Sequence, residues 1–124
     1  MTLEVLPQAL SVCKVAQASE IDLNRPFCFA GITDGELSRV CETDRVPPRT
    51  LAREDGWRAF RVAGSMAFTL VGVLARLTGA LAAESVPVFA VSTFDTDYVL
   101  VKADRLSEAL GALQKDGHDV RLLP

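Results

Sequence analysis

The stretch from Trp57 to the C-terminus constrains the fold most, because its hydrophobic period switches between two and 3.6 in a fixed order. "WRAFRVAG" (57–64) alternates apolar and polar residues and ends in glycine, as a strand does. From Ser65 or Met66 to Glu84 the pattern becomes helical, with Leu70, Leu74, Leu77 and Leu81 on one side and Thr69, Gly72, Arg76, Gly79 and Ala83 on the other. "VPVFAVST" (86–93) is a near-continuous apolar run with β-branched and aromatic residues, which predicts a buried strand, and "DYVLVK" (97–102) predicts a second. "ADRLSEALGALQKDG" is an amphipathic helix whose inward face is Leu106, Ala109, Leu110 and Leu113, with Asp104 as N-cap and Gly117 at the C′ position. "HDVRLL" closes as a last strand. The order β-α-β-β-α-β is that of a ferredoxin-like split βαβ unit, so the fold class is α+β.

The first half is strand-rich and offers no convincing helix. "ALSVCKV" (9–15) alternates, and "FCFAGIT" (27–33) and "ELSRVCE" (36–42) flank Asp34-Gly35, a two-residue hairpin signal. "SEIDLNRP" (19–26) has room for one helical turn, and "TDRVPPRTLAREDG" (43–56) reads as a connector in which Pro47-Pro48 stops any strand. Residues 1–56 are therefore expected to form a strand-rich N-terminal subdomain with its connector, and 57–124 a βαββαβ domain. No residue-level repeat relates the halves in this reading, and the two are expected to unfold together.

Several function classes are disfavoured. The chain is 124 residues long, 49% apolar and 23% charged, which suits a globular fold and not a disordered one. Its net charge of -3 argues against a nucleic-acid binder. Arg45, Arg49, Arg53, Arg58 and Arg61 form a local basic run, but Asp44, Glu54 and Asp55 interrupt it, so it reads as a solvated loop and the outer face of a strand. Residues 66–83 approach the length of a membrane span, yet Arg76 falls in the middle, so no membrane segment is expected. Cys13, Cys28 and Cys41 form no CxxC or Cys/His pair and read as small buried hydrophobes. Their odd number and the lack of a basic, apolar leader point to a reducing cytoplasm.

Catalysis needs a nucleophile, a base and an orienting group, and the sequence supplies no such set. His118, the single histidine, sits between Asp116 and Asp119 and reads as a solvated turn residue. Ser65 lacks a GxSxG context, no phosphate-binding glycine motif is present, and nothing calls for a metal or a cofactor. The reading is of a non-enzyme. Two features suit ligand binding instead. In "VAGSMAF", Gly64 permits close backbone approach, and the amides that follow Ser65 at a helix N-terminus suit a carboxylate. In "STFDTD", Asp95 and Thr96 read as an Asx-type turn, whereas Thr93 ends one strand and Asp97 opens the next, where its carboxylate suits an ammonium. Carboxylate and ammonium together are the two ends of an amino acid.

The segments "GWRAFRVAGSMAF" and "VPVFAVSTFDTDYVLVKADRLSEALGAL" resemble the ACT-domain subfamily that small bacterial proteins share with the CASTOR arginine sensors. "FCFAGITDGELSRVCE" resembles the first half of the small bacterial members. The resemblance implies a tandem of ACT-like units, with the first half as a strand-rich, degenerate copy. It also implies an amino-acid ligand held at an interface between ACT units, and a regulated partner protein. The positions matching Thr93, Phe94 and Asp97 belong to the arginine site of the CASTOR proteins, which leaves Gly64, Ser65, Thr93, Phe94 and Asp97 as the candidate site. The small-residue stripe Thr69, Gly72, Gly79 and Ala83 adds an expectation of a homodimer. The alternative from another class is a ligand-free interaction or oligomerisation module.

Overall fold

A computed structural model describes residues 1–64 and 72–124 of the chain. In chain order its elements are β1 (Thr2–Val5), β2 (Leu10–Val15), β3 (Phe29–Ile32), β4 (Leu37–Glu42), β5 (Ala52–Val62), α1 (Val73–Ala83), β6 (Phe89–Ser92), β7 (Asp97–Lys102), α2 (Leu106–Lys115) and β8 (Asp119–Leu122). They form two compact units, one of Met1–Pro7 with Arg58–Pro124 and one of Gln8–Trp57. The strands and helices read from residues 57–124 are present, with two corrections. α1 begins only at Val73, because Gly72 sits before it in the left-handed region at φ 78° and no helix runs unbroken through it from Ser65. β6 is an edge strand paired with β7 whose residues are exposed or half-buried, where a buried strand was expected. Residues 65–71 lie outside the described residues.

The larger unit has strand order β6-β7-β5-β1-β8. Four of these strands are the ones the βαββαβ pattern implied. The fifth, β1, was not anticipated. It pairs antiparallel with β5, Leu3 facing Val62, and parallel with β8, Leu3 facing Val120. Residues 1–7 thus belong with the C-terminal part of the chain, where the sequence reading had grouped 1–56. "TLEV" is too short to carry a period-two signal by itself, but Leu3 and Val5 are 0% and 1% exposed.

One face of this sheet is apolar. Leu3, Val5, Phe60, Val62, Val99 and Val101 pack with Leu77 and Leu81 of α1 and with Ala109 and Leu113 of α2. Fully burying each Leu, Val or Phe side chain contributes about 1.5–3 kcal/mol, so this cluster dominates the unit's stability. Arg76, Gly79 and Ala83 lie on the exposed side of α1, as the helical stripe required. At the end of α2 Gly117 adopts φ 95°, His118 N donates to Leu113 O at 3.0 Å and Gly117 N to Gln114 O at 3.0 Å, the paired bonds of a Schellman cap. Asp104 is not the N-cap. It lies in a 3₁₀ turn, Ala103–Arg105, that leads directly into α2. His118 is not solvated either: it is 5% exposed, with Nδ1 3.5 Å from the Met1 nitrogen.

The smaller unit is an antiparallel sheet of order β3-β4-β2-β5, and its only helical pieces among the described residues are 3₁₀ turns at Ala18–Glu20 and Thr43–Arg45. The hairpin at Asp34-Gly35 forms as its dipeptide predicts, with Ile32 facing Leu37. The connector is shorter than expected because β5 starts at Ala52 and pairs there with Lys14. Cys13 and Cys41 are buried, and Cys28 is half-buried. Burial pushes the Cys41 thiol up to about 11 and raises that of Cys13, so both remain protonated hydrophobes at neutral pH.

Candidate functional site

The hairpin β6–β7 carries most of the candidate residues. Ser92 faces Asp97 in the ladder, so the chain reverses through a two-residue turn, Phe94-Asp95, closed by Thr93 and Thr96. Thr93 N donates to Thr96 O at 2.9 Å, Thr93 Oγ1 donates to the same carbonyl at 3.1 Å, and Thr96 N lies 3.4 Å from Thr93 Oγ1. Thr93 therefore supplies the side-chain bonds of the turn, a role the sequence reading gave to Asp95 in an Asx-type turn. Phe94 stands at the tip, 79% exposed. Asp97 is half-buried, and its Oδ1 accepts a bond from Ser92 Oγ at 2.6 Å, the short length of a charge-assisted O–H···O⁻ contact. That bond fixes the carboxylate beside the turn.

Thr96 is the residue the sequence reading undervalued. It is 7% exposed, and its Oγ1 donates to Val62 O at 3.3 Å. Val62 is two residues before Gly64, so this buried bond ties the hairpin turn to the strand end from which the glycine turn departs. Thr93, Phe94 and Asp97 are thus gathered on one hairpin, and Gly64 is linked to them through Thr96 and Val62. Gly64 is exposed with φ 77°, and a Cβ there would meet nothing within 4 Å. The left-handed backbone, rather than crowding, requires glycine. Ser65 lies outside the described residues, and α1, whose N-terminal amides were expected directly after it, begins instead at Val73 behind a left-handed Gly72.

On the neighbouring strands Arg61 donates to Glu4 Oε1 at 3.1 Å and to Tyr98 Oη at 3.4 Å, with its guanidinium 6.0 Å from the Tyr98 ring centre. The bond to Tyr98, followed by that to Glu4, holds the Arg61 pKa above its ordinary value. This network stiffens β5 against β7 next to Asp97. Among the described residues no cluster of His, Cys, Asp and Glu is arranged to hold a metal. No helix among them is long and apolar enough to cross a membrane.

The structure also reveals a residue-level repeat that the reading of the residues did not find, although the family resemblance implied a tandem. β3, β4 and the 3₁₀ turn after them recur sixty residues later as β6, β7 and the turn Ala103–Arg105, with Phe29 facing Val40 as Phe89 faces Leu100. Phe29/Phe89, Ala30/Ala90, Thr33/Thr93, Asp44/Asp104 and Arg45/Arg105 are identical pairs at that spacing. Thr33 closes its turn as Thr93 does, N to Glu36 O at 3.0 Å. The first hairpin, however, has Asp34 where the second has Phe94, and Leu37 where the second has Asp97. Only the second carries the aromatic and the carboxylate together.

A family model for the ACT domain matches residues 52–115, just over half of the chain. The cytosolic arginine sensor for mTORC1 subunit 1 of Rattus norvegicus is 32% identical over 97 residues, covering 73% of this chain. The chain spans only 29% of that protein's length. Among solved structures, protein Atu0741 of Agobacterium tumefaciens is 29% identical with a TM-score of 0.87, over 99% of this chain and 93% of that one. The ligand-free regulatory subunit of aspartate kinase from Thermus thermophilus is 10% identical with a TM-score of 0.63, over 91% and 95% of the two chains, a likeness of fold alone.

Proposed function

The chain belongs to the ACT-domain family, and from that membership we propose that it is an amino-acid-binding regulatory protein and not an enzyme, acting in the cytoplasm on a partner protein. The ligand is held at an interface between ACT units, and the working form is a homodimer. The observation that carries this reading is the β6–β7 hairpin, where Thr93, Phe94 and Asp97 are gathered and anchored through Thr96 to the strand leading to Gly64. Asp97 takes the ligand's ammonium. Backbone amides of the turn after Gly64, with Ser65, take its carboxylate. Phe94 covers its apolar part. The similarity to a protein named as an arginine sensor makes L-arginine the first ligand to try.

A thermal-shift screen of the twenty amino acids tests the proposal. A ligand present about a hundredfold above its Kd adds about 2.7 kcal/mol, a Tm rise of roughly 10 °C for a chain of this size. A flat response across the whole screen refutes it and leaves a ligand-free interaction or oligomerisation module.

A further inference from the structure

The smaller unit buries a charge that its own structure does not neutralise. Arg39 on β4 is 2% exposed. At the matching place on β7 stands Val99, part of an apolar core. A guanidinium stays charged at any physiological pH, and an unpaired buried charge is strongly destabilising. Yet Arg39 makes no ion pair among the described residues. Among the described residues its Nη1 reaches only the Glu20 carbonyl, at a long 3.5 Å, and its Nε is buried without a partner.

Arg39 lines an open cleft of about 1010 Å³ in the same unit, together with Arg45, Arg49, Glu20 and Asp22. The volume suits a small metabolite. Downstream arginines of the same basic run are engaged: Arg53 with Asp55 at 2.8 Å, Arg58 with Leu6 O at 2.9 Å, and Arg61 with Glu4. Arg45 and Arg49 have no such partner among the described residues, and both are exposed on the cleft. The two acids are already tied locally, Glu20 Oε1 to Gln17 N at 3.1 Å and Asp22 Oδ1 to Asn24 N at 3.0 Å. Three guanidinium groups thus face two carboxylates that are held by their own backbone.

We propose that this cleft is a second ligand site, separate from the β6–β7 hairpin, and that it takes a small organic anion bearing one carboxylate or one phosphate. Arg39 in the cleft lining supplies the buried charge, and its fork suits two oxygens of such a group. Arg45 and Arg49 supply the remaining donors from the rim.

The test is NMR titration of the full chain in a non-coordinating buffer at constant ionic strength, with inorganic phosphate in one arm and acetate in the other. The Arg39 Nε–H resonance and the amides of residues 45–51 should shift saturably in one arm. Saturation by phosphate alone assigns a phosphorylated ligand, and saturation by acetate alone a carboxylate. Arg45→Gln should weaken that binding about tenfold or more. Arg39→Met should abolish it while raising the denaturation midpoint, since an apolar side chain of similar length fits a buried site better than an unpaired charge. No saturable shift in either arm, or binding that Arg45→Gln leaves unchanged, overturns the proposal. So does an Arg39→Met protein that is less stable than wild type, because Arg39 would then be structural.

Discussion

The most direct test of the architecture is Leu3→Ala in the full chain. Leu3 is 0% exposed and faces Val62 on one side and Val120 on the other, within the cluster that α1 and α2 cover. Truncation to alanine removes the transfer energy of most of a buried isobutyl group and leaves a cavity that neighbouring strands cannot collapse without breaking register. Such changes cost about 2–5 kcal/mol. Since a domain is stable by only about 5–15 kcal/mol, this is a large share of the whole. Urea denaturation followed by circular dichroism reads the loss directly. Ile32→Ala is the matched control, because Ile32 is 64% exposed and its removal should cost under about 0.5 kcal/mol. Hydrogen exchange adds a local reading: β8 is bonded to β1 along Asp119–Leu122, so those amides should lose protection first. A Leu3→Ala protein within 1 kcal/mol or so of wild type would refute the placement of β1 in this core.

Two further outcomes follow from the same structure. A chain starting at Glu54 lacks Leu3, Val5 and Leu6, three side chains no more than 2% exposed. At about 1.5–3 kcal/mol each the deficit is comparable with a whole domain's stability, so the fragment should bind the dye ANS or aggregate, and sharp, dispersed NMR signals from it would contradict this. The Cys41 thiol, raised from 9.0 to about 11 by burial, is protonated in the fold when the unfolded chain already ionises. Its contribution is therefore fully present below pH 9 and is lost as pH rises through about 11, a drop of about 2–3 kcal/mol; Cys41→Ala should flatten that part of the stability–pH curve.

Most of the second half was legible because its longer elements show their period: the leucines of α1 and α2 each fix a face, whereas the apolar run of β6 was misread as buried because nothing local says that it lies at the sheet edge. β1 was not legible, because four residues cannot display an alternation and nothing local says that β5 and β8 will bracket them. The early start of β5 was hidden by "AREDG", a polar sequence with no apolar alternation, which joins β2 through the backbone ladder and a bond from Ser11 Oγ to Asp55 Oδ1 at 2.6 Å. At the site, Thr93 and Asp97 were legible as the ends of strands. The assignment of the turn to Asp95 failed because a two-residue loop puts the bonding side chain on the residue before it, and Thr96 hides in the sequence as one more turn residue. The repeat was missed for a related reason. Its five identical pairs are scattered, and only the shared register of the two hairpins shows that they are equivalent.

That shared register gives the Asp97 prediction its control. Asp97 is half-buried and has one side-chain bond among the described residues, from Ser92, and the hairpin itself is closed by backbone bonds and by Thr93. The matching residue of the first hairpin is Leu37, and that hairpin closes equally well, so the carboxylate is not required for the turn. Asp97→Ala should accordingly cost about 1 kcal/mol or less in folding. A ligand ammonium that loses its carboxylate in a closed site forfeits about 2–5 kcal/mol, a weakening of at least tenfold and up to several thousandfold. Calorimetric titration with L-arginine, or with whichever amino acid gives the largest thermal shift, separates the two effects. Asp95→Ala should leave both nearly unchanged, since the turn's side-chain bonds come from Thr93. If Asp97→Ala binds as tightly as wild type, the carboxylate serves only Ser92, and the ammonium must be sought on another group.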